Sequence, residues 1–393
     1  EKTFIYSIVR FIEMKKQIFI STILFLLPLK AQVVDLIIND VKLFDGIKVI
    51  SKTSIIVKDG KILDITKNSS QYKANSIIDG SGKTVIPSLL NAHVHAFSPE
   101  HLKQALNSGV FALFDLHASE EASKLLKGYR DSLEYANYYS SGFSATVPKG
   151  HGTQFGVDVP TINDSVSAEE FVNQRIKNGC DYIKIGFEPR MPTLSFEQID
   201  TIITITHQNN LKVLAHISFL EDAIRIVESK IDGLAHIWSD KQISSNQLST
   251  LKKNKVYIIP TLITLQRALK LGEQQGWAKN LLTFKNIQEE VMSVYDANIP
   301  ILAGTDPPNF DINYGNDLLK EIQLLAESGL LPIDALKAAT SNIAIEFDIP
   351  NLGFIKKGEE ANFIIVNGDP TQYISSIENI ESIWKNGIKI NEP

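Results

Sequence analysis

Val85-Ile86-Pro87-Ser88-Leu89-Leu90-Asn91-Ala92-His93-Val94-His95 is a mostly apolar run that ends on two histidines one residue apart. Side chains of a strand alternate between its faces, so His93 and His95 point one way while Val94 points the other. Two imidazoles on one strand face can grip one metal ion. Taken alone, the pair could equally be two hydrogen-bonded strand histidines. The rest of the chain decides between these readings.

Outward from this run, strands and helices take turns. Short apolar runs end at Val94, Leu116, Ala145, Ile185, Ala215, Ala235, Pro260 and Ala303. Helical spacing lies between several of them, as in Phe219–Ser229 and Asp317–Ser328. This alternation is the pattern of a (β/α)8 TIM barrel, with a doubly wound sheet as the alternative. At both ends the texture changes. Val34–Ile38, Val41–Phe44, Ser54–Val57 and Lys61–Ile65 are short strand-like runs punctuated by Asp45-Gly46 and Asp59-Gly60. Ala361–Val366, Ile383–Asn386 and Lys389-Ile390 repeat that texture near the C-terminus. Neither end can bury much alone, so together they are expected to build one small β-sandwich. The expected fold class is α/β: a barrel over residues 85–350, with a sandwich formed by residues 32–84 and 351–393.

The composition narrows the chemistry. The 393 residues carry 39 Lys and Arg against 45 Asp and Glu, a net charge of −6 without basic runs, which excludes a nucleic-acid footprint. With 44% hydrophobic and 21% charged residues the chain is too apolar for disorder. Cys180 is the only cysteine, so an intramolecular disulfide and a thiolate-built zinc site are both excluded. Any metal must be held by His, Asp, Glu or Lys.

Residues 1–31 read as a leader. Met14-Lys15-Lys16 opens a basic stretch, Ile18–Leu29 is apolar, and Lys30-Ala31-Gln32 offers a cleavage point after Ala31. That is the pattern of a signal peptide over residues 14–31, with residues 1–13 upstream of a start Met. The apolar run is too short for a membrane span. The expectation is an exported protein, periplasmic or secreted, with no membrane attachment after cleavage.

The donors fall at the ends of the strand runs. In Asp181-Tyr182-Ile183-Lys184-Ile185-Gly186, alternation turns Tyr182 and Lys184 inward. A buried ammonium is costly, so Lys184 should neutralise, pair or be modified, and reaction with CO2 would give an anionic carbamate able to bridge two metals. His216 and His236 each end a Leu-Ala-His-Ile tetrapeptide, and Asp306 follows Ala303-Gly304-Thr305. Individually each has an ordinary structural reading. Jointly His93, His95, Lys184, His216, His236 and Asp306 crowd the C-terminal ends of the strands, the face where barrel enzymes carry their sites.

Residues 85–95 resemble the opening strand of the metal-dependent amidohydrolase superfamily, in its imidazolonepropionase-like and prolidase-like branch. Asp334-Ala335-Leu336, Ala338-Ala339-Thr340-Ser341-Asn342 and Leu352-Gly353-Phe354-Ile355 resemble that family's closing segments. The resemblance covers about residues 34–390. It implies two divalent ions, zinc or else manganese or cobalt, bridged by carboxylated Lys184. His93, His95 and Asp306 would hold one ion, and His216 and His236 the other. Departures are Ser88 and Asn91, where relatives have Gly and Asp, Asn362 for Asp, and Tyr314-Gly315 where many have His-Gly. Lys149-Gly150-His151-Gly152 resembles the family's Gly-Gly-His-Gly loop, so His151 is expected at the scissile carbonyl or the leaving group. Tyr314 and Arg190 are the other expected substrate contacts, Arg190 as a carboxylate clamp. His117 is a further candidate for the pocket, whereas His101 and His207 read as solvated.

Such a site implies hydrolysis of a C–N amide bond in a small molecule of dipeptide or N-acyl amino acid type, by a metal-activated hydroxide with Asp306 shuttling the proton. A mononuclear cyclic-amide hydrolase or deaminase, an esterase, lactonase or phosphotriesterase, and a non-catalytic barrel stay open. Oligomeric state is open as well, a homo-oligomer included.

Overall fold

The computed structural model describes residues 31–349 and 351–390. The expected leader, all but its last residue, lies outside the described residues. Among those described, no helix is long and apolar enough to cross a membrane.

The chain opens with strands β1 (Gln32–Phe44), β2 (Val49–Lys58), β3 (Lys61–Thr66), β4 (Tyr72–Asp79) and β5 (Lys83–Pro87). Asp59 and Gly60 both take positive φ, 52° and 75°, the requirement of the tight turn that joins β2 to β3. Across the buried Ser88, β5 runs into β6 (Leu89–Val94). There follow β7 (Val110–Asp115), β8 (Asn137–Ser140), β9 (Ile183–Gly186), β10 (Val213–His216), β11 (Gly233–Ala235) and β12 (Tyr257–Ile259). The chain ends with β13 (Phe363–Asn367), β14 (Ile380–Lys385) and β15 (Ile388–Ile390).

β6 to β12 pair only in parallel, as β6-β7-β8 and β9-β10-β11-β12. Parallel bridges continue the ladders from Ala145 to Ile185 and from Ile258 to Ile301. Ala303 O then accepts the N–H of Ala92 on β6 at 2.9 Å. A helix follows each strand. Six helices start on a Ser or Thr whose hydroxyl accepts a first-turn N–H: Ser98, Ser119, Ser167, Ser195, Ser244 and Thr283. The helices expected over Phe219–Ser229 and Asp317–Ser328 are found at Leu220–Glu228 and Asn316–Glu327.

One strand ends earlier than its apolar run suggests. β8 stops at Ser140 because Gly142, at φ 66°, turns the chain, and Ala145 rejoins the ladder only as an isolated bridge to Ile185.

The two chain ends meet in one eight-stranded sheet, in the order β15-β14-β13-β5-β1-β2-β3, with β4 also on β1. The early half of β1 pairs with β4 and the later half with β5, and bulges near Val41 bend the strand between them. The expected sandwich is thus, in its hydrogen bonding, one continuous bent sheet. Its inner layer (Leu36, Ile38, Leu43, Ile55, Val57, Phe363, Ile365) is buried. Phe44, Ile86, Ile364 and Val366 face the other way and join the core around the parallel strands.

Candidate metal centre

Each donor is held by the strand end that carries it. His93 closes β6, and Asn91 two residues earlier fixes the neighbouring backbone. The Asn91 amide donates to Thr305 Oγ1 at 2.7 Å, and its oxygen accepts the Thr305 N–H at 3.1 Å. This pair of bonds ties β6 to the segment bearing Asp306. Gly304 allows the same approach, because a Cβ there would meet His93 Cβ at 2.9 Å and Ile259 Cγ2 at 2.5 Å.

His93 Nε2 lies 3.3 Å and His95 Nε2 2.9 Å from Asp306 Oδ1. Neither approach has hydrogen-bond geometry: Asp306 Oδ1 and the Nδ1 atoms of His93 and His95 are buried without a partner. Donor atoms of the three residues all lie within 4.8 Å of one another. Unpartnered N and O donors converging in a buried place are what a divalent cation satisfies. The residues present therefore fit a metal ion.

His236 and His216 sit beside this trio. The His93 and His236 rings are 4.9 Å apart, and those of His216 and His236 4.8 Å. His236 Nδ1 meets Thr261 Oγ1 at 2.6 Å, and His216 Nε2 lies 3.7 Å from Glu188 Oε2. Lys184, on β9, is buried and lines the same cavity as all four histidines and Asp306.

Three non-glycine residues here adopt left-handed backbone: His236 (φ 71°), Thr261 (φ 50°) and Asp306 (φ 56°). Such conformations cost on the order of 1 kcal/mol each and gather where a site demands a particular side-chain direction.

The electrostatics follow from burial. Burial lowers the Lys184 ammonium to about 7 against the pull of Asp306 and Asp115. Burial also depresses His216 and His236 to about 3, keeping both imidazoles neutral. For His95 burial is overcome by the neighbouring carboxylates of Asp115 and Asp306, which push it up to about 9. Burial opposes the charge on Asp306, but His93 and His95 hold it well below the usual carboxylate range.

His151 stacks on His216 at 4.0 Å between ring centres and lines the cavity, neutral because burial and then Lys184 lower it to about 3. His117 lines it as well: Ser144 N–H donates to His117 Nδ1 at 3.3 Å, which leaves the ring proton on the buried, unpartnered Nε2.

Two expected substrate contacts, Tyr314 and Arg190, are engaged by protein groups. Tyr314 OH donates to the backbone carbonyl of His95 at 2.6 Å and the ring stacks on His101 at 4.1 Å, so Tyr314 braces the end of β6 beside the cavity. His101 is accordingly half-buried, not solvated, while the exposed His207 pairs with Asp232. Arg190 spends its fork on Glu188, with Nε at 2.8 Å and Nη2 at 2.7 Å, because that buried carboxylate needs a counter-charge.

The buried acids are what sequence reasoning missed. Asp115 accepts Ala96 N–H at 2.6 Å, His117 N–H at 2.9 Å and Tyr138 OH at 2.9 Å, and stands 3.7 Å from His95 Nδ1. Glu188 takes Arg190, Ser218 Oγ at 2.6 Å and faces His216. Asp115-Leu116-His117 has the period-two spacing of His93-Val94-His95, and that spacing was the available signal.

Residues 84–390 match the amidohydrolase family. Among curated proteins the chain is 21% identical over 372 residues to a 5-methylthioadenosine/S-adenosylhomocysteine deaminase of Caldicellulosiruptor saccharolyticus, covering 86% of each chain. It is 24% identical over 399 residues to an imidazolonepropionase of Staphylococcus aureus, covering 88% of this chain and 91% of that one. Among solved structures, a Xaa-Pro dipeptidase with bound methionine in the active site superposes with a TM-score of 0.76 at 22% identity, over 91% of this chain and 99% of that one. The match spans most of the chain and includes every donor described above, and the chain belongs to the amidohydrolase family, hydrolases acting on carbon–nitrogen bonds.

Proposed function

We propose that the protein hydrolyses an amide-type C–N bond in a small molecule at the cavity shared by His93, His95, Lys184, His216, His236 and Asp306. The observation that carries this reading is the unpartnered convergence of His93, His95 and Asp306. On this reading the parallel strands, continued by the bridges at Ala145 and Ile301, close a (β/α)8 barrel over residues 85–350. Residues 32–84 and 351–393 form the appended β domain, and residues 14–31 direct export.

His93, His95 and Asp306 would hold one divalent ion, His216 and His236 a second, and Lys184, as its carbamate, would stand between them. Zinc suits these donors, as do manganese and cobalt. Bound there, such ions supply Lewis acidity and a lowered pKa for water. Asp306 Oδ1 takes the proton from the attacking water and returns it to the departing nitrogen. In the balance of the reaction the acyl carbon gains OH and the amine gains H. His151, held neutral by burial, contributes an N–H toward the carbonyl or the leaving group. Asp115 and Thr261 hold the His95 and His236 rings in place.

The test is turnover of amides by the metal-loaded protein, compared with ester, lactone and phosphotriester analogues and with Asp306→Asn. Faster hydrolysis of an ester or phosphotriester than of every amide would overturn the C–N assignment.

A further inference from the structure

Two hollows meet at the donors. The first, about 450 Å³, is lined by Phe97, Leu116, Phe143, Phe155 and Val157. The second, about 440 Å³, is lined by Ile237, Leu265, Leu269, Trp277 and Phe310. Both include His151, His216, His236 and Asp306, so the reacting centre lies at their junction. Each falls within the size range of small-molecule sites, roughly 300–1,000 Å³.

The charge on these walls is the second observation. Among the described residues the first hollow's only Lys or Arg is Lys184, buried among the donors. In the second it is Arg190, whose Nε and Nη2 are paired with Glu188. Besides apolar surface the first wall offers a ligand neutral polar groups, the unpartnered Nε2 of His117 among them. Phe97 is 63%, Phe155 59% and Val157 52% exposed at the rim. Large apolar side chains grouped in solvent mark a binding surface.

We propose that the substrate is uncharged and carries an apolar group, aryl or branched alkyl, on each side of the scissile C–N bond. A carboxylate on either side, as in a dipeptide or an N-acyl amino acid, would be desolvated with no cation to meet it that is not already paired with an acid or set among the donors. The neutral carbonyl instead takes its hydrogen bond from His117. This assignment rests on the amide-hydrolysis reading for its chemistry, but the walls that carry it are independent of that chemistry.

The test uses the metal-loaded full chain and two compounds that differ by one carboxylate, N-(2-phenylethyl)benzamide and N-benzoylphenylalanine. The neutral compound is expected to show kcat/KM about tenfold higher or more, the discrimination an unpaired buried carboxylate imposes. Equal or better turnover of the acid overturns the proposal. If neither compound is cleaved, amide hydrolysis fails but the substrate class is still read by calorimetric titration of both. Tighter binding of the neutral compound by about tenfold supports the class, and equal or tighter binding of the acid overturns it. Phe155→Arg adds the missing cation at an exposed rim position. It should shift the neutral-to-acid ratio of kcat/KM toward the acid by about tenfold, and an unmoved ratio would place the substrate away from this rim.

Discussion

Replacing Asp115 by Asn tests whether the buried carboxylate behind His95 positions that imidazole. The change keeps the shape of the side chain and removes one acceptor. Ala96 N–H and Tyr138 OH both bond Oδ2, and His117 N–H bonds Oδ1, the oxygen that also faces His95 Nδ1. Whichever way the new amide turns, its NH2 meets a backbone N–H. The fully buried site therefore loses one charge-assisted bond, about 1.5–3 kcal/mol, and strands a donor at about 1–3 kcal/mol. A loss of about 3 kcal/mol or more in unfolding free energy is expected, measured by urea denaturation of the metal-stripped protein. Carboxylates behind ligating histidines govern metal affinity about 10–100-fold, so chelator competition should show weakening of that order. A variant as stable as the parent, with unchanged metal affinity, would refute the role given to Asp115.

Four further outcomes follow from the same contacts. Asp306→Asn should lower kcat about 10³-fold or more, and full activity with the metal retained would remove its role in proton transfer. Saturating metal at about 1,000 times its dissociation constant should raise the unfolding free energy by about 4 kcal/mol over the stripped protein, read by thermal or urea unfolding. Gly304→Ala should weaken metal binding and destabilise the fold by about 1–3 kcal/mol, since the added methyl drives against His93 and Ile259; chelator competition and urea midpoints read both effects. Burial pushes Glu321 up to about 8 against the backbone donors Ile263 and Leu262. The folded state thus keeps a proton that the unfolded chain releases near its ordinary value of 4.5, so this group's contribution to stability falls as pH rises between those limits. Glu321→Gln should flatten that fall, and equal urea-midpoint slopes for the two proteins would contradict it.

The parts of the site that could be read from sequence are those with a short-range rule. Period-two alternation placed His93 and His95 on one face, and the matched strand ends placed His216 and His236. The absence of spare cysteines confined the search to nitrogen and oxygen donors. The supporting carboxylates obey no such rule. Glu321 reaches Leu262 and Ile263, 59 and 58 residues away, and Glu290 reaches Trp238 and Ile243 across 52 and 47 residues. Apart from the Trp238 indole, the donors they accept from are backbone N–H groups, which leave no trace in side-chain pattern. Arg190 and Tyr314 illustrate the converse. Each has the chemistry for a substrate contact, but Glu188 and the His95 carbonyl also engage it, and such partners are invisible before folding.

These buried acids separate the floor of the site from its rim. Asp115 holds the backbone after β6 and β7, Glu290 the backbone after β11, and Glu321 the helix start after β12. Each thereby fixes a chain exit beside a donor residue, and Thr261, next to the Glu321 contacts, bonds His236 directly. Left-handed backbone at His236, Thr261 and Asp306 needs such over-determined surroundings to persist. Phe97, Phe155 and Val157 have no comparable anchors and stand mostly in solvent. Substitutions among the rim residues should therefore change which molecules bind while leaving stability within about 0.5 kcal/mol. Substitutions among the three acids should lower stability and metal affinity together while leaving the preference between neutral and charged substrates unmoved. If a rim change unfolded the protein, or if an acid change inverted substrate preference, this division between floor and rim would be wrong.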